Sequence, residues 1–253
     1  MTAADDAPIV VLLHGVGVGA ESFQPVARAL VPGHGVALPD RSGYGTGAGA
    51  PRTRIEDHVE DFGRFLTSLP RPPAVVAGVS GGATIALAAA LAGALAGRDG
   101  SPPGLLLHEP LLGELVPELH AAASAAADAL QRGEPGGENA FLRRLAGEPL
   151  PPVGPEVGAV VRAEVPSFLA FQPDIRDLER LGELPLLVTT IGDRSGRPRQ
   201  AAAELLAQAG GAHVVTIPGC GHLPQLQAPE RLAAAIAATG RGAAARRASV
   251  CLS

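Results

Sequence analysis

The stretch from Ala74 to Ala96 constrains the fold more than any other part of the chain. It opens with Ala74-Val75-Val76-Ala77, a short apolar run with β-branched residues, the pattern of a strand buried on both faces of a parallel sheet. It closes with Ala83 to Ala96, where alanine and leucine, both strong helix formers, dominate. Between the two stands Gly78-Val79-Ser80-Gly81-Gly82. A strand that becomes a helix within so few residues brings two backbones close together, and glycine at positions 78 and 82 suits that approach. The helix aims its unpaired N–H groups and its positive end back at the corner, so negative charge developing beside Ser80 is favoured.

The rest of the chain repeats the alternation. Apolar runs at Pro8 to Leu13, Gly35 to Pro39, Gly104 to Pro110, Pro185 to Ile191 and Ala212 to Ile217 read as further strands. Helical stretches are expected over Glu21 to Leu30, Ile55 to Leu69, Arg197 to Ala209 and Ala228 to Ala238. In the second of these, Ile55, Val59, Phe62, Phe65 and Leu66 fall on one face. Strands alternating with helices imply a parallel sheet, right-handed crossovers and helices on both faces. From Leu111 to Leu181 the alternation breaks into helical pieces, with loop-like interruptions at Gly133 to Gly137 and Gly147 to Pro155. The expected organisation is a core over 8–110 and 182–240, a helical cap inserted over 111–181, and a frayed tail over 241–253.

Composition excludes several other classes. With 253 residues, 46% hydrophobic and 18% charged, the chain is globular. Its net charge is −5 and every basic residue is an arginine, scattered among acids, so no basic stripe suggests a nucleic acid partner. Two cysteines, Cys220 and Cys251, are too few for a disulfide scaffold and fit a reducing, cytoplasmic setting. The segment Met1 to Pro8 lacks the layout of a signal peptide, and the longest apolar stretch falls short of a membrane span. Cys220 lies two residues before His222, but no further Cys or His stands at ligand spacing, so a packing role is expected and no metal.

Four motifs now stand in one order: Leu12-Leu13-His14-Gly15, Asp40 to Gly45, Gly78 to Gly82, and Pro218-Gly219-Cys220-Gly221-His222. Together they resemble the α/β-hydrolase family over roughly residues 8 to 240. That family usually begins with an antiparallel hairpin, for which the residues before Ile9 leave no room, so a minimal sheet of six mainly parallel strands is expected. The resemblance implies that Ser80 is the nucleophile and His222 the general base, then the acid that protonates the leaving group. It assigns the oxyanion hole to the backbone N–H groups of Val16 and Gly81. His14 is expected to organise its loop, and Asp40 to form a turn.

The acid is ambiguous. In the family it most often follows the strand that ends at Ile191, in the pattern G-x-x-D, and there Gly192-Asp193-Arg194-Ser195 places Ser195 where the aspartate is expected. The other location used on this fold is the end of the strand after the nucleophile helix, where this chain has His108-Glu109-Pro110. A carboxylate buried at a strand end is costly without a partner, and an imidazolium is such a partner. Glu109 is the preferred acid and Asp193 the alternative. The resemblance implies a cofactor-free serine hydrolase acting through an acyl-enzyme on a small ester or related acyl compound, with no membrane or nucleic acid partner. Carbon–carbon bond hydrolysis and perhydrolysis use the same three groups, and a slow or non-catalytic ligand receptor on the same fold is the reading from another class. Ser167-Phe168-Leu169-Ala170-Phe171 holds two of the six phenylalanines, and Phe168 and Phe171 are expected either to line an acyl pocket or to pack the cap.

Overall fold

The computed structural model describes residues 7–47, 49–96, 101–133, 136–147 and 152–250. Strand β1 (Ile9–Leu13) leads through α1 (Gln24–Leu30) to the short β2 (Gly35–Ala37). Then come α2 (Ile55–Ser68), β3 (Val75–Val79), α3 (Gly81–Leu91) and β4 (Gly104–His108). Four helices follow without a strand: α4 (Pro117–Gln131), α5 (Gly137–Ala146), α6 (Pro155–Leu169) and α7 (Ile175–Arg180). The chain closes with β5 (Leu187–Gly192), α8 (Arg197–Gly210), β6 (His213–Ile217), the single turn α9 (Pro224–Gln227) and α10 (Pro229–Val250). The sheet order is β2-β1-β3-β4-β5-β6, and every pairing is parallel. The six-stranded, open, parallel sheet with helices on both faces is the architecture expected from the sequence.

The two-residue period of each strand divides its side chains between two cores. Val11, Leu13, Val76, Leu105 and Leu107 pack beneath α2, α3, α7 and α8 with Phe62, Ile85, Leu178 and Leu206. Val10, Leu12, Val75, Ala77 and Leu106 face the other way, onto α1 and α10 with Val26, Leu232, Ile236 and Ala243. Because β3 continues from β1 on the side opposite β2, the strand order reverses between β1 and β3. Open parallel sheets place their binding crevice at such a switch, outside the carboxyl ends of the strands. His14 and Ser80 follow those two ends directly.

Helices α4 to α6 have a core of their own, built from Ala126, Ala127, Leu130, Phe141, Leu142, Val161 and Val165. They are joined to the sheet by a buried ion pair between Arg41, after β2, and Glu164 on α6, with Nη1 to Oε2 at 2.6 Å. Arg41 also donates to the Gly15 carbonyl at 2.8 Å, and the Tyr44 hydroxyl donates to Glu164 while accepting from the Gly17 N–H at 2.9 Å.

The stretch after Gly240, expected to fray, continues α10 as far as Val250, with Ala243 buried under β4; residues 251–253 of that expected tail, Cys251 among them, lie outside the described residues. Residues 134–135 and 148–151 of the expected interruptions lie outside them too, as do residues 1–6 of the opening segment. Among the described residues no helix is long and apolar enough to cross a membrane.

Candidate active site

Ser80 sits at the junction of β3 and α3 with φ 55° and ψ −122°, a conformation that side chains rarely adopt. Such strain costs on the order of 1–3 kcal/mol and persists only where the surroundings enforce it. Here they do. The Ser80 N–H donates to the His108 carbonyl at 2.9 Å, and its own carbonyl accepts from the Thr84 N–H at 2.9 Å. A Cβ added to Gly78 would lie 2.5 Å from the Gly82 carbonyl oxygen, and one added to Gly82 would overlap the Leu13 carbonyl. The two glycines let β1, β3 and α3 meet, and the serine is the residue left on the corner.

His222 comes from the loop after β6. Its Nε2 lies 2.8 Å from Ser80 Oγ, and its Nδ1 lies 2.6 Å from Glu109 Oε2. A carboxylate only accepts, so Nδ1 carries the hydrogen and the lone pair of Nε2 faces the serine hydroxyl. Glu109 reaches this place because the strand stops being regular: its φ is 52°, which turns the side chain off the two-residue pattern of Leu105 and Leu107. Asp193 stands elsewhere. Its carboxylate accepts from the N–H groups of Gly219 and Cys220 at 2.9 and 3.2 Å, bracing the loop that carries His222. The structure therefore brings Ser80, His222 and Glu109 together, and it leaves Asp193 outside.

The electrostatics follow from burial and neighbours. Burial opposes ionisation of Glu109, but the hydrogen bond from His222 and the nearby charges of His222, His108 and Arg199 outweigh it and hold the carboxyl well below its usual range. Burial, then the charge of Arg199, pushes His222 below an ordinary imidazole despite the opposing pull of Glu109. The imidazole is thus neutral and able to accept a proton at neutral pH. Arg199 on α8 donates to Glu109 Oε2 at 2.9 Å, so it and His222 converge on one oxygen. Its other arm donates to the Leu145 carbonyl at the end of α5.

In front of Ser80 lies a small apolar space of about 30 Å³, bordered by Val16, Gly81, Leu111, Phe141, Val165, Phe168, Leu169, Arg199 and His222 among others. Val16 and Gly81, expected to supply backbone donors, both border it. Phe168 does too, and its ring stacks on His58 with centroids 5.4 Å apart. Phe171 does not border it. Helix α6 ends at Leu169, so Phe171 leaves the helical face of Phe168 and lines a groove with Ile55 and Val59 of α2. His14 is fully buried and neutral, with its pKa lowered to about 3 by burial and by Arg41; Nδ1 bonds the Gly15 carbonyl and Nε2 accepts from the Arg41 N–H at 3.1 Å. Asp40 accepts from Ala20 and Thr46, the turn-forming role expected of it. Among the described residues no group of three or more His, Cys, Asp or Glu is placed to hold a metal ion.

Three contributors were not foreseen in their roles. His108 is buried at the end of β4, with Nδ1 2.9 Å from Thr190 Oγ1 and Nε2 3.2 Å from the Gly221 carbonyl, and it ties the His222 loop to β4 and β5. Ser195, standing where the aspartate was expected, gives its hydroxyl hydrogen to Glu109 Oε1 instead. Arg199 had no local signal, since it is one of three arginines near the start of a helix.

Comparison with known proteins bears on the family and the fold. A family model described as the alpha/beta hydrolase family matches residues 10–235. A magnesium-chelatase 30 kDa subunit of Rhodobacter capsulatus is 35% identical over 88 residues, which is 34% of this chain and 31% of that protein. An uncharacterized hydrolase of Bacillus subtilis, YraK, is 37% identical over 83 residues, 32% of this chain and 31% of that protein. The matched stretch thus spans about a third of the length of either curated relative. Among solved structures, a lipase-esterase related protein from Clostridium acetobutylicum superposes with a TM-score of 0.74 at 12% identity, covering 92% of this chain and 95% of that one.

Proposed function

The chain belongs to the alpha/beta hydrolase family, and from that premise we propose that it is a serine hydrolase that cleaves small carboxylic esters through an acyl-enzyme, without a cofactor. One observation carries the reading: the unbroken line from Ser80 Oγ to His222 Nε2, and from His222 Nδ1 to Glu109 Oε2, at 2.8 and 2.6 Å. Ser80 Oγ attacks the ester carbonyl carbon as its proton passes to His222 Nε2. The oxyanion that forms is held by the N–H groups of Val16 and Gly81. Collapse of this intermediate breaks the bond to the alcohol, which takes the proton from His222. Water then attacks the acyl-enzyme, gives a proton to Nε2, and a second collapse releases the carboxylic acid and returns the proton to Ser80. Glu109 remains ionised throughout and holds the imidazole in the tautomer that can accept from serine.

The apolar space beside Ser80 supports a small acyl group. Phe168, which borders it, is the side chain most able to limit acyl length. The reading as a non-catalytic receptor rested on an irregular acid position, and a carboxylate 2.6 Å from His222 favours the catalytic reading over it. A fluorophosphonate probe is expected to label Ser80 in a single adduct located by peptide mass mapping, and Ser80→Ala should abolish the labelling. Labelling that persists in the alanine variant overturns the proposal.

A further inference from the structure

Helix α8 opens with two arginines that behave differently. Arg197 leaves 70% of its side chain exposed and pairs with Glu204 on the same helix, whereas Arg199 exposes only 13%. A guanidinium is withdrawn from water at a cost, and its partners show what offsets it. Nη1 donates to Glu109 Oε2 at 2.9 Å, the oxygen that also accepts from His222 Nδ1, and it touches the imidazole itself. The second terminal nitrogen, Nη2, donates to the Leu145 carbonyl. Leu145 lies in the last turn of α5, where carbonyls lack partners inside the helix and the dipole is negative, so the guanidinium caps that end. One planar group thus holds the carboxylate beside His222 with one arm and the inserted helices with the other.

We infer that Arg199 is a positioning residue that couples α5 to His222, keeping the imidazole free of a proton while the inserted helices are seated. The inference rests on the serine hydrolase reading above and gives that site a regulator. Glu109 and His108 face the ring from the end of β4, Arg199 from α8 and Ser80 from the β3–α3 corner. Asp193 braces its loop, and Arg144 and Arg194 border the cleft behind it, all three exposed and screened by solvent. His108 is neutral, its pKa lowered to about 4 by burial. Of the two charges that touch the ring, Glu109 favours the imidazolium and Arg199 opposes it. Removing the guanidinium, or letting it swing away with α5, therefore makes His222 a stronger base, protonated and idle over more of the acid range.

The pH dependence of kcat/KM tests it, with the neutral aryl acetate 4-acetoxybenzamide as substrate and its phenol as the measured product. In the wild type the acid limb is expected below the ~6.5 of an ordinary imidazole. In Arg199→Met it should rise by about one pH unit, the size of effect that a neighbouring charge commonly has. Arg199→Gln, which keeps a donor but loses the charge, should do the same and serves if the methionine variant does not fold. Gly147, just past α5, has φ 74°, and a side chain there meets nothing within 4 Å. Gly147→Val therefore strains that end of the helix without touching Glu109, Arg199 or His222. It should raise the limb in the wild type and add nothing in Arg199→Met, since both act through one contact. A limb indifferent to loss of the guanidinium overturns the inference, as does a Gly147→Val effect that is absent or additive with Arg199→Met. NMR titration of the His222 imidazole in the same proteins reads the coupling without turnover. A wild-type midpoint at or above ~6.5 overturns it before any variant is made. If fluorophosphonate fails to label Ser80 while the His222 midpoint still follows Arg199, the hydrolase reading falls and the coupling stands. A labelled Ser80 with a midpoint that ignores Arg199 sinks the coupling alone.

Discussion

A carboxylate that is fully buried and still ionised needs donors, and Glu109 has four: His222 Nδ1, Arg199 Nη1, the Ser195 hydroxyl and the Gly192 N–H. In the proposed mechanism only the first acts in the reaction, since it fixes the imidazole and stabilises the imidazolium. Glu109→Gln keeps the volume and loses the charge, and its amide can turn an N–H toward Nδ1 and reverse the tautomer. Its kcat should fall by about 10⁴, the loss seen when a triad acid is made an amide in other enzymes. Asp193→Asn should cost about tenfold or less, because that side chain is exposed and only braces the loop at Gly219 and Cys220. Steady-state rates with 4-acetoxybenzamide, and far-UV circular dichroism to confirm folding, check both; the opposite ranking would move the acid to Asp193. Ser80 and His222 were legible in the sequence because each lies in a glycine-framed motif. The carboxylate that contacts His222 was legible only as a choice of two. Period-two reasoning fails at a residue with φ 52°, and nothing in Leu105-Leu106-Leu107-His108 announces that the next residue leaves the strand pattern.

At the scale of elements, the β3–α3 corner depends on contact between backbones. Gly82→Ala would drive a methyl group into the Leu13 carbonyl of β1, an obstacle with no flexible end to yield. The expected result is a loss of about 3 kcal/mol or more, in the range of severe overpacking, measured by urea unfolding, together with loss of fluorophosphonate labelling as the corner shifts. Unchanged stability would mean that the three segments do not meet so closely. The strands were legible because buried parallel strands are unbroken apolar runs, and the six that formed lie where those runs lie. The end of α10 was not. Its sequence from Gly240 to Val250 is mostly alanine, glycine and arginine, which leaves little amphipathic contrast, and the helix is held there by tertiary contacts such as Ala243 against Gly104. Phe171 parts from Phe168 for a similar reason: spacing alone did not show that α6 ends between the two, and of the two roles expected for it the structure gives Phe171 packing against the core.

For the molecule as a whole, the joint between the sheet and the inserted helices is a charge pair with almost no exposure. The side chain of Glu164 is wholly buried and that of Arg41 is 5% exposed. Removing one partner of such a pair strands the other, at a cost of about 3–5 kcal/mol. Glu164→Gln should therefore lower unfolding stability by that amount in urea melts, whereas Arg41→Met combined with Glu164→Leu should recover part of it. If the single change is silent, the pair is not what holds the joint. The same pair has a meaning for protein engineering. Helices α4 to α6 look like an interchangeable module, since they leave after β4 and have a core of their own, although Leu119 and Phe168 also reach into the core beneath the sheet. They are not freely exchangeable. Residues 41 and 164 lie 123 positions apart yet must travel together, because a foreign insert without a carboxylate at that point would close over a guanidinium with nothing to neutralise it. A successful graft would begin by rewriting position 41.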